Sequence, residues 1–367
     1  MTLIEKLLDV FKKNKISFFT GVPDSVLKDL SNNFGKLNRN KHIIAANEGS
    51  AIAIGIGYYL SSKKIPCVYF QNAGLGNAIN PLISIAHKKV YSIPMLLMIG
   101  WRGSYNKKDE PQHMVKGKIT PKILKLLDIK HCVLRKINDL KKLNKLIAEA
   151  KRRNAPVACL VEKDTLKIKK NKKKILKKNK FELRKDFIFE LLKNIPRNSK
   201  IISTTGYTSR ELMQIREKEK FFKGKDFYMV GGMGHAAMVS LGYSINSKKK
   251  IICLDGDGSI LMHLGSLRTL GYIGNSNIKH ILLNNDSHET TGSQPTTALG
   301  INFKNLVMSL GYKNYYKVSK KSSFKSALTK LLKSKGPSFL EVIISTGTLS
   351  NLKRPKNLIK LKKIFMG

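Results

Sequence analysis

Short apolar runs alternate with helical patterns along nearly all of the 367 residues. The alternation breaks once and then restarts. Before the break, apolar runs at 16–20, 43–46, 67–71, 95–100 and 157–161 are expected strands. Helical patterns lie near 25–30, 48–60, 75–86 and 139–150, after a capping box at Thr2–Glu5 that opens a first helix. Beyond it, strands are expected at 200–204, 227–230, 251–254, 280–284, 315–318 and 338–344. Helices should fall near 183–194, 207–216, 235–244, 258–271, 303–310 and 322–332. Strands that are apolar throughout and separated by helices are buried on both faces of a parallel sheet. The expected fold is therefore α/β, with two doubly wound domains spanning residues 1–166 and 181–367. The break, 167–180, holds nine lysines in fourteen residues. Self-repulsion in such a run reads as a solvated linker.

Charge is the feature most open to misreading. The chain carries 69 Lys+Arg against 24 Asp+Glu, a formal net charge of +45. Only 11 of the basic residues are arginine. Sequence-specific nucleic-acid readers lean on arginine, whose planar fork matches guanine edges and phosphates. Here lysine is spread along the whole chain, so a basic nucleic-acid-binding protein is the weaker alternative. With 42% apolar residues the chain is not a disordered polycation. Cys67, Cys132, Cys159 and Cys253 form no CxxC pair, so neither a disulfide scaffold nor a structural zinc site is expected. Glu5 and Asp9 in the first ten residues are unlike a signal peptide, and no run of 18 apolar residues occurs. A cytoplasmic protein is the expectation.

The strongest chemical signal follows the strand at 251–254. It runs into Asp255-Gly256-Asp257-Gly258-Ser259, and after 25 intervening residues another strand ends in Asn284-Asn285. Ligands of doubly wound sheets sit beyond the carboxyl ends of the strands. Gly256 and Gly258 allow a tight turn and a close backbone approach to an anion. A helix starting near Gly258 offers N–H groups to a phosphate, with Ser259 in its first turn. A carboxylate, an amide oxygen and a nearby carbonyl form an oxygen-rich set suited to Mg²⁺.

This arrangement resembles the diphosphate-binding motif of thiamine-diphosphate enzymes. The resemblance implies two cofactors, thiamine diphosphate and Mg²⁺. It makes Asp257, Asn285 and the main chain of Ser287 the metal ligands. It also implies a glutamate against the aminopyrimidine ring, in a separate pyrimidine-binding domain. The segment Ala45-Ala46-Asn47-Glu48-Gly49-Ser50-Ala51 supplies Glu48, which by itself reads as a helix N-terminal acid. Gly231-Gly232-Met233-Gly234-His235 resembles the segment that bends the cofactor. Met233 would be the wedge and the Gly231 carbonyl an acceptor for the exocyclic amine. Ordinary core packing is the other reading of Met233.

Most decarboxylases of this family carry a large middle domain, and this chain has only the lysine run there. It is similar to the short thiamine-diphosphate decarboxylases that act on phosphonopyruvate and sulfopyruvate. The matching words are Thr20–Ser25, Gln71–Asn77, Gly100–Gly103, Asp109–His113 and Gly292–Thr296. The domain assignment becomes pyrimidine-binding for 1–166 and diphosphate-binding for 181–367. The implied activity is carboxy-lyase: conversion of 3-phosphonopyruvate to phosphonoacetaldehyde and CO2 in phosphonate biosynthesis. Sulfopyruvate or another short 2-oxo acid is the near alternative. In this family each cofactor is held between subunits, so a homodimer or larger assembly is implied. The stretch Asp286–Thr290 is where a small departure from the family pattern is expected, at Glu289 and Thr290, and it bears on substrate identity if it lines the pocket.

An anionic substrate calls for donors and cations. The resemblance offers Asp24, Ser25, Asn72, Arg102, His113, His235 and His288. Arg102 is an anion clamp or a surface ion pair. His113 is a proton donor or phosphonate ligand, or a satisfied loop histidine. Asp24 could equally be a helix N-cap.

Overall fold

The computed structural model describes residues 1–105, 107–168, 180–221 and 226–367. Most of the expected 167–180 linker therefore lies outside the described residues. The chain divides into two compact units, Met1–Lys173 with Thr290–Gln294, and Lys174–Glu289 with Pro295–Gly367.

The first unit runs α1 (Leu3–Lys13), β1 (Phe19–Gly21), α2 (Lys28–Phe34), β2 (His42–Ile44), α3 (Glu48–Ser62), β3 (Cys67–Gln71), α4 (Leu75–Pro81), β4 (Leu96–Trp101), α5 (Pro111–Leu126), β5 (Lys130–Leu134), α6 (Leu140–Arg153) and β6 (Val157–Glu162). Its six strands form one parallel sheet in the order β2-β1-β3-β4-β6-β5. Alternate residues of each strand feed two cores. Cys67, Tyr69, Leu96, Met98 and Cys159 pack with α1, α2 and α6. Val68, Phe70, Leu97, Ile99 and Leu160 pack with α3, α4 and α5. Period-2 side chains buried on both faces make these strands read as unbroken apolar runs.

The second unit repeats the plan. It runs α7 (Arg184–Asn194), β7 (Lys200–Ser203), α8 (Tyr207–Lys218), β8 (Asp226–Tyr228), α9 (Ala236–Ser244), β9 (Ile251–Gly256), α10 (Asp257–Met262), α11 (Gly265–Ile273), β10 (Ile278–Asn284), the short strands β11 (Ser287–His288) and β12 (Gln294–Pro295), α12 (Phe303–Ser309), β13 (Asn314–Val318), α13 (Lys321–Lys333), β14 (Ser338–Ile343) and α14 (Leu358–Met366). Its main sheet is parallel, in the order β13-β14-β10-β9-β7-β8. Ile252, Leu254, Ile281 and Leu283 face α7, α8 and α13, while Leu282 and Cys253 face α9, α11 and α12. Both sheets are thus doubly wound, as expected.

Several elements depart from expectation. The helix placed over 258–271 is two, α10 and α11, broken at His263. The helix expected from residue 25 begins at Lys28, so Asp24 is not its N-cap. Helix α5 and strand β5 were not anticipated. No described helix is long and apolar enough to cross a membrane.

Candidate active site

The expected site residues cluster after the carboxyl ends of strands in each sheet. In the first unit, α3 opens at Glu48 behind an Asn47 cap whose side chain accepts the Ser50 N–H at 2.9 Å. Glu48 is 6% exposed, and Asn77 donates to its Oε2 at 2.8 Å. Gly74 lies so close that a β-carbon there would collide with the Glu48 carboxylate. Lys116 of α5 is near enough for Glu48 to act on its charge. Burial lowers the Lys116 pKa, and Glu48 opposes that shift.

A second group joins the ends of β3 and β4. Asn72 accepts the Arg102 N–H at 3.1 Å and donates to the Arg102 carbonyl and the Thr120 hydroxyl. Arg102 is buried. Its guanidinium makes a bidentate pair with Asp109, at 2.6 and 2.5 Å, and reaches Glu110 at 3.0 Å. Burial opposes the charged form of Asp109, but the guanidinium outweighs it and holds the carboxyl below its usual range. The ion pair anticipated for Arg102 at the surface is therefore interior. Trp101 is buried and donates to the Gly117 carbonyl.

His113 sits in the first turn of α5, not in a loop. It is 8% exposed, and its Nδ1 has no hydrogen-bond partner. Burial, then the Arg102 charge, push its pKa down to about 4, so the imidazole is neutral at pH 7. Asp24 is also buried, and burial raises its pKa. Gln71 and the Leu27 N–H donate to its two oxygens. Ser25 is exposed.

In the second unit, β9 and β10 are paired neighbours, with Leu283 opposite Gly256. Asp257 therefore emerges next to the turn holding Asn285 and Ser287. Asp257 is 3% exposed and accepts a hydrogen bond from Thr296 at 2.5 Å. Burial pushes its pKa up to about 6, and Asp286 adds to the shift. Asn285 Oδ1 accepts the Ser287 N–H at 3.1 Å, and the half-buried Ser287 hydroxyl has no hydrogen-bond partner. A β-carbon on Gly258 would lie 2.8 Å from the His288 ring, so this glycine is required by close approach. Burial drives the His288 pKa to about 4.

Ser259 links this motif to the 231–235 segment. Its hydroxyl accepts the Gly234 N–H at 3.1 Å and meets Thr204 at 2.9 Å. Gly231 and Met233 are half-buried, so Met233 is not sealed in the core. His235 is exposed and stacked on His263, with centroids 4.4 Å apart. Beneath the motif, Cys253, Asp255 and His280 form a buried cluster. Asp255 lies 3.5 Å from His280 and accepts the Gly256 N–H, so it braces the strand end from below.

Thr296, Asn77 and Lys116 are the members that sequence reading passed over. Thr296 and Asn77 fell inside quoted words without a role of their own. Lys116 left no signal among so many lysines.

The residues fit a divalent cation on structural grounds. Asp257 is a desolvated carboxylate whose raised pKa a cation would reverse. The unpartnered Ser287 hydroxyl and the Asn285 amide oxygen lie on the adjoining turn.

Comparison with known proteins gives the family. Residues 1–124 match the family described as thiamine pyrophosphate enzyme, N-terminal TPP binding domain. Residues 203–342 match its C-terminal TPP binding domain. A phosphonopyruvate decarboxylase of Streptomyces viridochromogenes is 30% identical over 359 residues, covering 93% of this chain and 88% of the relative. One from Streptomyces hygroscopicus is 31% identical over 357 residues, covering 93% and 87%. A sulfopyruvate decarboxylase of Methanosarcina acetivorans is 27% identical over 369 residues, covering 94% and 91%. The chain belongs to the thiamine pyrophosphate enzyme family, among its carboxy-lyases.

Proposed function

We propose that this protein decarboxylates 3-phosphonopyruvate to phosphonoacetaldehyde and CO2, using thiamine diphosphate and Mg²⁺, as a step of phosphonate biosynthesis. The observation that carries the reading is the juxtaposition of Asp257 with the turn of Asn285 and Ser287, just beyond the carboxyl ends of the neighbouring parallel strands β9 and β10, in a chain that also opens α3 on the buried Glu48. Relatives named for the phosphonate substrate match at 30 and 31% identity, and the sulfonate relative at 27%.

Asp257, Asn285 and the Ser287 main chain would hold Mg²⁺, with Gly256, Gly258 and Ser259 beside the diphosphate. Thiamine diphosphate, when bound, supplies the carbon nucleophile and the electron sink for decarboxylation. Glu48 is the proton carrier toward the pyrimidine ring. Asn77 occupies its Oε2, which leaves Oε1 to hold the proton. Met233 would shape the cofactor seat, and the Gly231 carbonyl would serve as a hydrogen-bond acceptor for the cofactor.

For the substrate, neutral His113 offers an unpaired ring nitrogen to the phosphonate or to the protonation step. Arg102 and Asn72 spend their polar groups on Asp109, Glu110, Thr120 and each other. Their proposed part is to fix the floor of the pocket and to lend the Arg102 charge to anion binding. Asp24, Ser25, His235 and His288 complete the proposed lining. A homodimer or larger assembly, the arrangement that the family resemblance implies, is the proposed active form.

The test is CO2 release measured with phosphonopyruvate, sulfopyruvate and pyruvate at saturating cofactor. The reading expects the highest kcat/KM for phosphonopyruvate. A clear preference for sulfopyruvate would transfer the assignment to the sulfonate, and a preference for pyruvate would refute a pocket built to hold a second anionic group.

A further inference from the structure

The turn that carries the proposed metal ligands also holds a carboxylate outside that set. Glu289 follows Asn285 by four residues. Its Oε2 accepts a hydrogen bond from Asn285 Nδ2 at 3.2 Å and pairs with Arg184. Its Oε1 accepts the Gly347 N–H at 2.5 Å. Arg184, at the start of α7 and 4% exposed, also lies 3.4 Å from Glu211. Glu211 in turn accepts from the Thr348 hydroxyl and the Leu349 N–H, at 2.8 and 2.9 Å. Both oxygens of Glu289 are thus fixed by groups from other parts of the same unit.

An asparagine amide has an acceptor end and a donor end of nearly the same shape. Only the oxygen end can ligate a cation. A carboxylate beside the amide discriminates between the two, because it accepts the NH2 group and repels the carbonyl oxygen. With Nδ2 held by Glu289, Oδ1 lies on the other side of the group. There it accepts the Ser287 N–H and keeps a second lone pair.

We infer that Glu289, itself pinned by Arg184, is a positioning residue that orients the Asn285 amide oxygen-outward and so sets the affinity of the site for its divalent cation. The inference rests on the reading of Asn285 as a metal ligand. Partners that orient a metal ligand typically contribute ten- to hundredfold in metal affinity.

The experiment titrates Mg²⁺ against thiamine diphosphate binding by calorimetry, using the full-length chain and no substrate. Glu289→Ala should raise the half-saturating Mg²⁺ concentration about tenfold. Glu289→Gln, whose amide oxygen can still accept the Asn285 N–H, should restore most of that loss. In an Asn285→Asp background either oxygen can ligate, so removing Glu289 should carry no penalty. A purely structural latch predicts the same penalty in both backgrounds. Glu289→Asp keeps the charge beside Arg184 but shortens the reach, and carries the comparison if Glu289→Ala does not fold. If Asn285→Ala leaves the Mg²⁺ requirement unchanged, the metal-ligand reading fails. If Asn285→Ala weakens Mg²⁺ binding but shortening or removing Glu289 does not, or if the penalty persists undiminished beside Asn285→Asp, the positioning role is overturned.

Discussion

Glu48 shows how a residue with an ordinary local role can carry a second one. Helix starts favour acids, and Glu48 stands in the first turn of α3. A helix-start acid on the surface needs neither burial nor a glycine beneath it, and Glu48 has both. Glu48→Gln should lower kcat about 10²–10⁴-fold, the usual range for a lost general acid–base group, while thiamine diphosphate binding by calorimetry stays near wild type. At His113 the same burial shows as pH dependence. Its folded pKa, about 4, lies below the unfolded value near 6.5. The folded state therefore binds fewer protons, and its contribution to stability is lost as pH falls from about 6.5 through 4. The full effect is on the order of 3 kcal/mol. Denaturant unfolding of the metal-free protein between pH 7 and 4 should show a shallower acid loss for His113→Gln than for wild type. Sequence could name these two residues because both sit in local words. It could not reveal that Thr296 reaches Asp257, since a contact across 39 residues leaves no trace in either segment.

Among the elements, the strands were legible because burial on both faces turns them into apolar runs. The helices with one clean apolar stripe were legible too. Helix α5 was not. It carries Pro121 in its interior and lysines at 116, 118, 122 and 125, a pattern that reads as a loop. Strand β5, at the sheet edge, is only partly buried and begins on Lys130. The cost of missing α5 was functional, because it delivers His113, Lys116 and the Thr120 that grips Asn72. The Asp109 clamp that leads into α5 gives a direct test. Asp109→Ala would leave the buried Arg102 charge with Glu110 as its one remaining ion-pair partner among the described residues. Breaking a buried pair from one side typically costs about 3–5 kcal/mol. A midpoint shift of that size in denaturant unfolding is expected, with a higher KM for the substrate. An unchanged midpoint would place the Arg102–Asp109 pair at the solvent-screened surface instead.

At the scale of the whole molecule, each doubly wound unit presents half of the proposed chemistry. Asp257, Asn285 and the 231–235 segment lie in the unit whose sheet contains β9 and β10, and Glu48 lies in the other. The proposed shared-site homodimer predicts complementation. Glu48→Gln mixed with Asp257→Ala after subunit exchange should recover roughly a quarter of wild-type activity, since about half of the dimers are hybrids with one intact site. No recovery would count against sharing. The +45 charge enters here as a field rather than as a nucleic-acid footprint. If it steers an anionic substrate, kcat/KM should fall as ionic strength rises. A flat profile would leave the lysines without a part in catalysis. The most direct test of the account is CO2 release from phosphonopyruvate by the purified, metal-free protein, with and without added thiamine diphosphate and Mg²⁺. Turnover that appears only when both are present, and vanishes in Glu48→Gln, is the predicted result. Folded protein that binds both cofactors yet releases no CO2 from phosphonopyruvate, sulfopyruvate or pyruvate would contradict it.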